Sequence, residues 1–205
     1  MIYMNSFVKL KLEMMRMLDR SIPYKNIIMR CDCFKPLPDT SNGITVRNYR
    51  SGDEKHWADI EYSIGDFSSV NEAERYFITH YNTDEIFSRC FFAEDKDGNV
   101  IGTCIAWHDL KGNETVSSLH WLAVLPEHQH IGAGKALINA VMRYYCKNGL
   151  MPVYLHTQPW SYNAIALYLS AGFKISKTDT FADHKNEYSE AISILKNYLP
   201  IDLII

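Results

Sequence analysis

Gln129-His130-Ile131-Gly132-Ala133-Gly134, entered from Leu122-Ala123-Val124-Leu125-Pro126, is the stretch on which the fold turns. Ser117 to Leu125 reads as a strand that Pro126 stops. Gly134 to about Lys147 reads as a helix that Asn148-Gly149 closes. Leu137, Ile138, Val141, Met142 and Tyr145 recur at helical spacing and define its buried stripe. Glycines at 132 and 134 let the backbone come close to an anion, and the N–H groups of a helix start stabilise negative charge. A dinucleotide-binding turn would carry Gly or Ala where Leu137 stands. A Walker-type phosphate loop would carry Ser or Thr where Ala136 follows Lys135. The loop suits a phosphate without matching either pattern, and a tight helix start with no ligand fits these residues as well.

Downstream, Pro152 to Thr157 reads as a strand. Strand, glycine loop, helix and strand make a crossover unit, so the strands near 117–125 and 152–157 are expected to run parallel. A helix from about Ser161 ends at Gly172, followed by a strand Phe173 to Lys177 and a helix Glu187 to Tyr198. Upstream, Ile44 to Tyr49 alternates as a strand, and Asp53 to Ser63 and Val70 to His80 read as helices. Arg89 to Glu94 and Val100 to His108 form a hairpin whose turn is marked by Asp97-Gly98. The remaining pairings read as antiparallel. The expected fold class is therefore α/β in the α+β sense, a mixed and mostly antiparallel sheet with one parallel, splayed strand pair.

The first forty residues precede this pattern. Phe7, Leu10, Met14, Met17 and Leu18 predict an amphipathic helix over 6–20, and Tyr24 to Cys33 reads as a strand. Phe34 to Gly43, with its prolines and small polar residues, reads as a connector. The organisation expected is an extension over 1–40 and a main domain over 43–205. With 205 residues, 47% hydrophobic and 13% aromatic, the chain can bury a substantial core. A net charge of -3 without a long run of like charge gives no footprint for nucleic acid or an acidic membrane surface. Charged residues interrupt the apolar N-terminus, which reads as neither a signal peptide nor a membrane span. Five cysteines without a CxxC pair suggest reduced thiols in a cytoplasmic protein, and no metal site is legible.

About thirty residues after the glycine loop come Asn163-Ala164-Ile165-Ala166-Leu167-Tyr168 and Ala171-Gly172-Phe173. Together with Gln129-x-x-Gly132-x-Gly134, this resembles the GCN5-related N-acetyltransferase (GNAT) superfamily. The likeness runs from Ile44 through Phe173 and leaves 1–40 and the last helix outside it. It implies an acetyl-coenzyme A cofactor and a bulge in the strand bearing Leu122, Ala123 and Val124, whose backbone pairs with the pantetheine arm. By the same resemblance Gln129, His130, Ile131, Gly132, Ala133, Gly134 and Lys135 cradle the pyrophosphate. Asn163 contacts the pantetheine, and Tyr168 stands near the thioester sulfur.

A thiolate leaving group with a conjugate pKa of about 8.5 can take a proton from a tyrosine of pKa about 10. Tyr168 is thus the expected acid. A free strand N–H near Leu122 could stabilise the oxyanion formed during transfer. Histone-modifying relatives carry a glutamate base where this chain has Ser118. His120, two residues on along the same face, is the candidate base, a pattern that arylalkylamine-acetylating relatives resemble. His156, Gln158, Trp160 and Trp107 are expected to line the acceptor site, with Asp66 and Phe67 covering it. The function implied is transfer of acetyl to an amine of a small molecule or peptide, directly in a ternary complex. The alternatives are a cysteine-linked route through Cys104 or Cys146, and a non-catalytic acetyl-CoA-binding sensor. Because Glu187 to Tyr198 replaces a customary final strand, Tyr24 to Cys33 is expected to fill the vacated sheet edge. The same extension would serve equally in a homodimer.

Overall fold

The computed structural model describes residues 21–39 and 43–204. The helix expected over 6–20 lies outside the described residues. The strands are β1 (Ile27–Cys31), β2 (Thr45–Asn48), β3 (Cys90–Glu94), β4 (Val100–Lys111), β5 (Glu114–Val124), β6 (Val153–Thr157) and β7 (Lys174–Ile175). They form one sheet in the order β2-β3-β4-β5-β6-β1-β7. Every neighbouring pair is antiparallel except β5 and β6. That parallel pairing is confined to Ser117 opposite Val153 and Ser118 opposite Tyr154, after which the strands part.

The early strand does join the sheet beside β6, but not as its edge. β1 lies between β6 and β7, with Ile28 opposite His156 and Met29 opposite both Leu155 and Ile175. Its Ile-Ile-Met run is buried throughout, as a strand covered on both faces requires. The strand expected over 173–177 is limited to β7, with one further backbone bond to β1 from Ser176 N–H to Ile28 O.

The helices are α1 (Glu54–Ile64), α2 (Val70–Tyr81), α3 (Ile86–Arg89), α4 (Ala133–Lys147), α5 (Tyr162–Ser170), α6 (Tyr188–Leu195) and α7 (Ile201–Ile204). The short helices α3 and α7 carry too few turns for periodicity to reveal them. α2 begins where its pattern says it should: the Ser69 hydroxyl accepts from Glu72 N–H, and the Glu72 carboxylate accepts from Ser68 N–H at 3.0 Å. On α4 the expected stripe of Leu137, Ile138, Val141, Met142 and Tyr145 is fully buried in the main core. α1 and α2 close a second cluster built from Trp57, Phe77, Tyr81, Phe92 and Ile105. The two clusters hold the bend of β5 between them. Among the described residues, no helix is long and apolar enough to cross a membrane.

Candidate active site

The ladder between β4 and β5 slips at one point. Thr103 pairs with Ala123 and Ile105 pairs with His120, so Trp121 and Leu122 together oppose Cys104. That extra residue is a β-bulge, and Trp121 takes a left-handed φ of 52° to make it. The bulge turns the Trp121 indole onto Trp57 and Tyr76 of the α1–α2 cluster. Beyond Ser118 the side of β5 that faces β6 makes no further ladder pairs with it. The parting strands leave a slot between them.

At the end of β5 a 3-10 turn at Pro126–His128 leads into the glycine loop. The Gln129 side chain donates back to Val124 O at 3.1 Å, tying the loop to the strand. Gly132 caps α4 in the left-handed region at φ 102°, a geometry that glycine adopts without strain. No side chain caps the helix start, so its backbone N–H groups are open to an anionic ligand. A Cβ at Gly134 would come within 3.3 Å of Leu167 on α5, so glycine there lets the two helices approach closely.

Slot and loop belong to one cavity of about 780 Å³, within the range of small-molecule sites. Of the residues implicated by sequence, Leu122, Ala123, Val124, Gln129, His130, Gly134, Asn163 and Tyr168 line it. So do Asp66, His120, His156, Gln158 and Trp160. Ile131, Gly132, Ala133 and Lys135 lie in the loop or the first turn of α4 without forming part of the wall. Two expected wall residues stand behind it instead. Trp107 points into the α2 side and meets the Tyr81 ring edge-on at 4.9 Å. Phe67 packs on Trp57, Tyr76 and Trp121, holding up the rings that face the cavity.

His120 is held from several sides. Its Nδ1 is 2.9 Å from the Tyr81 hydroxyl, which also accepts the indole N–H of Trp121 at 2.7 Å. Its Nε2 is 2.7 Å from the Asp109 carboxylate and 3.1 Å from the Ser118 hydroxyl. Burial would raise the Asp109 pKa, but the hydrogen bond and charge of His120, with the Ser118 hydroxyl, bring it below its ordinary value. Tyr168 is buried under the same wall and its phenol is pushed well up, first by desolvation and then by nearby Cys104 and Glu61. At the far end His156 lies 2.7 Å from the Asn26 amide oxygen and stacks on His184 at 3.8 Å. Burial, then His184 and His120, lower its pKa to about 4, so it stays neutral at physiological pH.

The cysteines fit a nucleophilic role poorly. Cys104 is fully buried behind the bulge, where desolvation drives its thiol well above the ordinary value, and Cys146 is exposed on α4 outside the cavity. Several wall residues escaped the sequence reading: Tyr24, Tyr76, Asp109, Trp121, Phe181 and His184. Asp109 shares a strand face with Trp107 but lies just past the strand end expected at His108, because β4 runs on to Lys111. Nothing local marked Phe181 and His184, whose connection is positioned when Ala182 N–H donates to Leu110 O.

A mixed sheet that parts at its parallel pair, with a glycine-capped helix heading the gap, is an acyltransferase type of architecture. Residues 55–173, more than half of the chain, match the acetyltransferase (GNAT) family, and the chain belongs to it. A mycothiol acetyltransferase of Acidothermus cellulolyticus is 27% identical over 172 residues, 74% of this chain and 51% of that protein. An uncharacterised N-acetyltransferase of Mycobacterium bovis is 29% identical over 128 residues, 61% of this chain and 78% of that one. The chain spans about half the length of the mycothiol acetyltransferases it matches. A GCN5-related N-acetyltransferase from Sphaerobacter thermophilus shares the fold at a TM-score of 0.58 and 24% identity, covering 75% of this chain and 49% of that chain. An aminoglycoside N-acetyltransferase in complex with CoA does so at 0.55 and 19% identity, covering 74% and 99%.

Proposed function

We propose that the protein moves the acetyl group of acetyl-CoA to an amine of a small molecule or peptide, directly and within a ternary complex. The observation that carries this reading is the cavity that joins the glycine-capped start of α4 to Tyr168 and His120. The residues fit the cofactor: the loop from Gln129 to Lys135 offers backbone donors to a pyrophosphate, and the unpaired side of β5 offers a strand edge to an amide-bearing arm. Leu122, Ala123, Val124 and Asn163 would hold that arm. When bound, the cofactor supplies an activated acetyl thioester.

The chain's own residues supply proton transfer and positioning. Tyr168 keeps its proton because its phenol is buried, and it gives that proton to the departing sulfur. His120 takes a proton from the attacking nitrogen. Asp66 and Asp109 bring carboxylates to a wall where His156 stays neutral, an arrangement that favours a cationic amine over an anionic acceptor. Tyr24, Tyr76, Trp121 and Trp160 add aromatic surface against which its apolar part can pack. Residues 1–40 are in this reading an extension to the domain at 43–205, and β1, within its described part, adds a strand to the sheet. The five free cysteines agree with a cytoplasmic setting.

Calorimetric titration with acetyl-CoA, followed by a panel of primary amines with thiol detection, tests the proposal. Binding at the cavity and release of thiol with some amine are the expected results. Absence of both heat and thermal shift with acetyl-CoA would overturn the reading. Binding without turnover across the panel would favour a cofactor sensor instead.

A further inference from the structure

We propose that Asp109 is the positioning residue that makes His120 a base, supplying from β4 a carboxylate that β5 itself lacks at this site. The inference rests on the assignment of His120 as base and adds the group that acts through it.

The ladder brings the groups together. Ile105 opposes His120, Trp107 opposes Ser118 and Asp109 opposes Val116, so Asp109, Ser118 and His120 share one face of the hairpin. On that face Asp109 Oδ2 lies 2.7 Å from His120 Nε2, and both side chains are about four-fifths shielded from solvent. A carboxylate can only accept, so the proton of the neutral imidazole sits on Nε2. Nδ1 is then the remaining basic nitrogen, and it accepts from the Tyr81 hydroxyl at 2.9 Å. Tyr81 is oriented in turn by the Trp121 indole N–H at 2.7 Å. Residues from β4, α2 and the β5 bulge thereby fix one ring in one tautomer.

The arrangement also concerns charge. The other titratable groups around the pair are Tyr76 and Tyr81 on α2, His156 on β6 and His184 in the β7–α6 connection. Both tyrosines are pushed above their ordinary values, chiefly by burial. Burial holds both histidines below theirs. Asp109 therefore faces no second imidazolium at neutral pH and remains free to stabilise the one formed on His120. In the transfer the bound ammonium first gives one proton to water; the neutral amine nitrogen then bonds to the acetyl carbon and loses a second proton to His120, leaving an imidazolium paired with the Asp109 carboxylate. The carbon–sulfur bond breaks and Tyr168 gives one proton to sulfur. Solvent exchange then returns the proton from His120 to Tyr168, so the enzyme ends as it began.

Long-range ¹H–¹⁵N spectra of the histidine rings, compared between wild type and Asp109→Asn, read the tautomer without any acceptor. The Nε2–H form of His120 is expected in the wild type. In Asp109→Asn the Nε2–H preference should weaken, because an amide can donate to that nitrogen as well as accept from it. With the amine that releases thiol fastest in the panel, Asp109→Asn should lower kcat by about 10- to 100-fold. The KM for acetyl-CoA should not change, and Asp109→Glu should recover part of the loss. The double variant with His120→Gln should be no worse than His120→Gln alone. A His120 tautomer unmoved by Asp109→Asn, or losses that multiply in the double variant, would overturn the inference. Should His120→Gln be fully active, the base assignment falls, and this inference with it. A variant that loses melting temperature but keeps the wild-type ring tautomer would show Asp109 to be merely structural.

Discussion

Asn139 on α4 grips the backbone of Leu37 at both of its polar groups. Its side-chain oxygen accepts from Leu37 N–H at 2.9 Å and its amide donates to Leu37 O at 3.0 Å, with both residues buried. A connector rich in proline, whose described residues join no strand, is thus fastened to the helix that carries the glycine loop.

Replacing Asn139 with Ala leaves both Leu37 groups buried without partners. The expected loss is about 2–4 kcal/mol, from about 1–3 kcal/mol for each orphaned group and partial relaxation of the connector. Urea unfolding measures it directly, and a change under half a kilocalorie would show that water replaces the amide without cost.

Gly172 and Gly149 make a matched pair of glycines. Both are left-handed, at φ 99° and 67°, but a Cβ at 172 would stand 2.5 Å from Cys33 O, whereas at 149 it meets open space. Gly149→Ala is expected to cost about 1 kcal/mol in backbone strain. Gly172→Ala adds the overpacking of a fixed carbonyl and should cost about 2–4 kcal/mol. Equal midpoints for the two variants in thermal melts would refute the clash.

Glu61 is buried in α1 with neither carboxylate oxygen hydrogen-bonded among the described residues. Desolvation first, then Asp66, raises its pKa well above the ordinary 4.5. Above pH 4.5 the unfolded chain gives up this proton while the folded chain keeps it, so stability falls as pH rises through that window. Glu61→Gln removes the dependence. Its advantage over wild type should grow by up to about 1.4 kcal/mol per pH unit from mildly acidic conditions upward. Melting curves from pH 4.5 to 8 test this, and a constant offset between the two proteins would count against it.

Tyr168 titrates above its ordinary value of 10, chiefly because of burial, so its proton is available across the neutral range. Tyr168→Phe should lower kcat by about 10²–10³-fold while leaving acetyl-CoA affinity near wild type. The basic limb of the pH–rate profile should not fall below pH 10 on account of this group. Unchanged turnover in Tyr168→Phe would remove the acid role.

The core of the acyltransferase fold was legible wherever a local pattern set the backbone. The α4 stripe, the glycine loop, the Asp97-Gly98 hairpin and the Asn163–Phe173 segment each carried their own periodicity or turn chemistry. Within the candidate site, Tyr168 and His120 were visible through their motif and strand face. Asp109 was not, because its value lies in a contact across the hairpin that depends on how the β5 bulge bends one strand over the other. Nor did local pattern show that Trp107 and Phe67 would be covered by neighbouring rings: it says which face a side chain takes, not which neighbour packs over it.

The sequence by itself determined the crossover from β5 through α4 to β6, since dihedral preferences and burial periodicity act over a few residues. Only the tertiary structure decided that β1 would lie between β6 and β7. Several strand edges could satisfy its N–H and C=O groups equally well, and burial of Ile27, Ile28 and Met29 on both faces selected the interior one. The tertiary structure also brought a β4 carboxylate to a β5 imidazole. That depended on twist, bulge and packing acting together over the whole sheet.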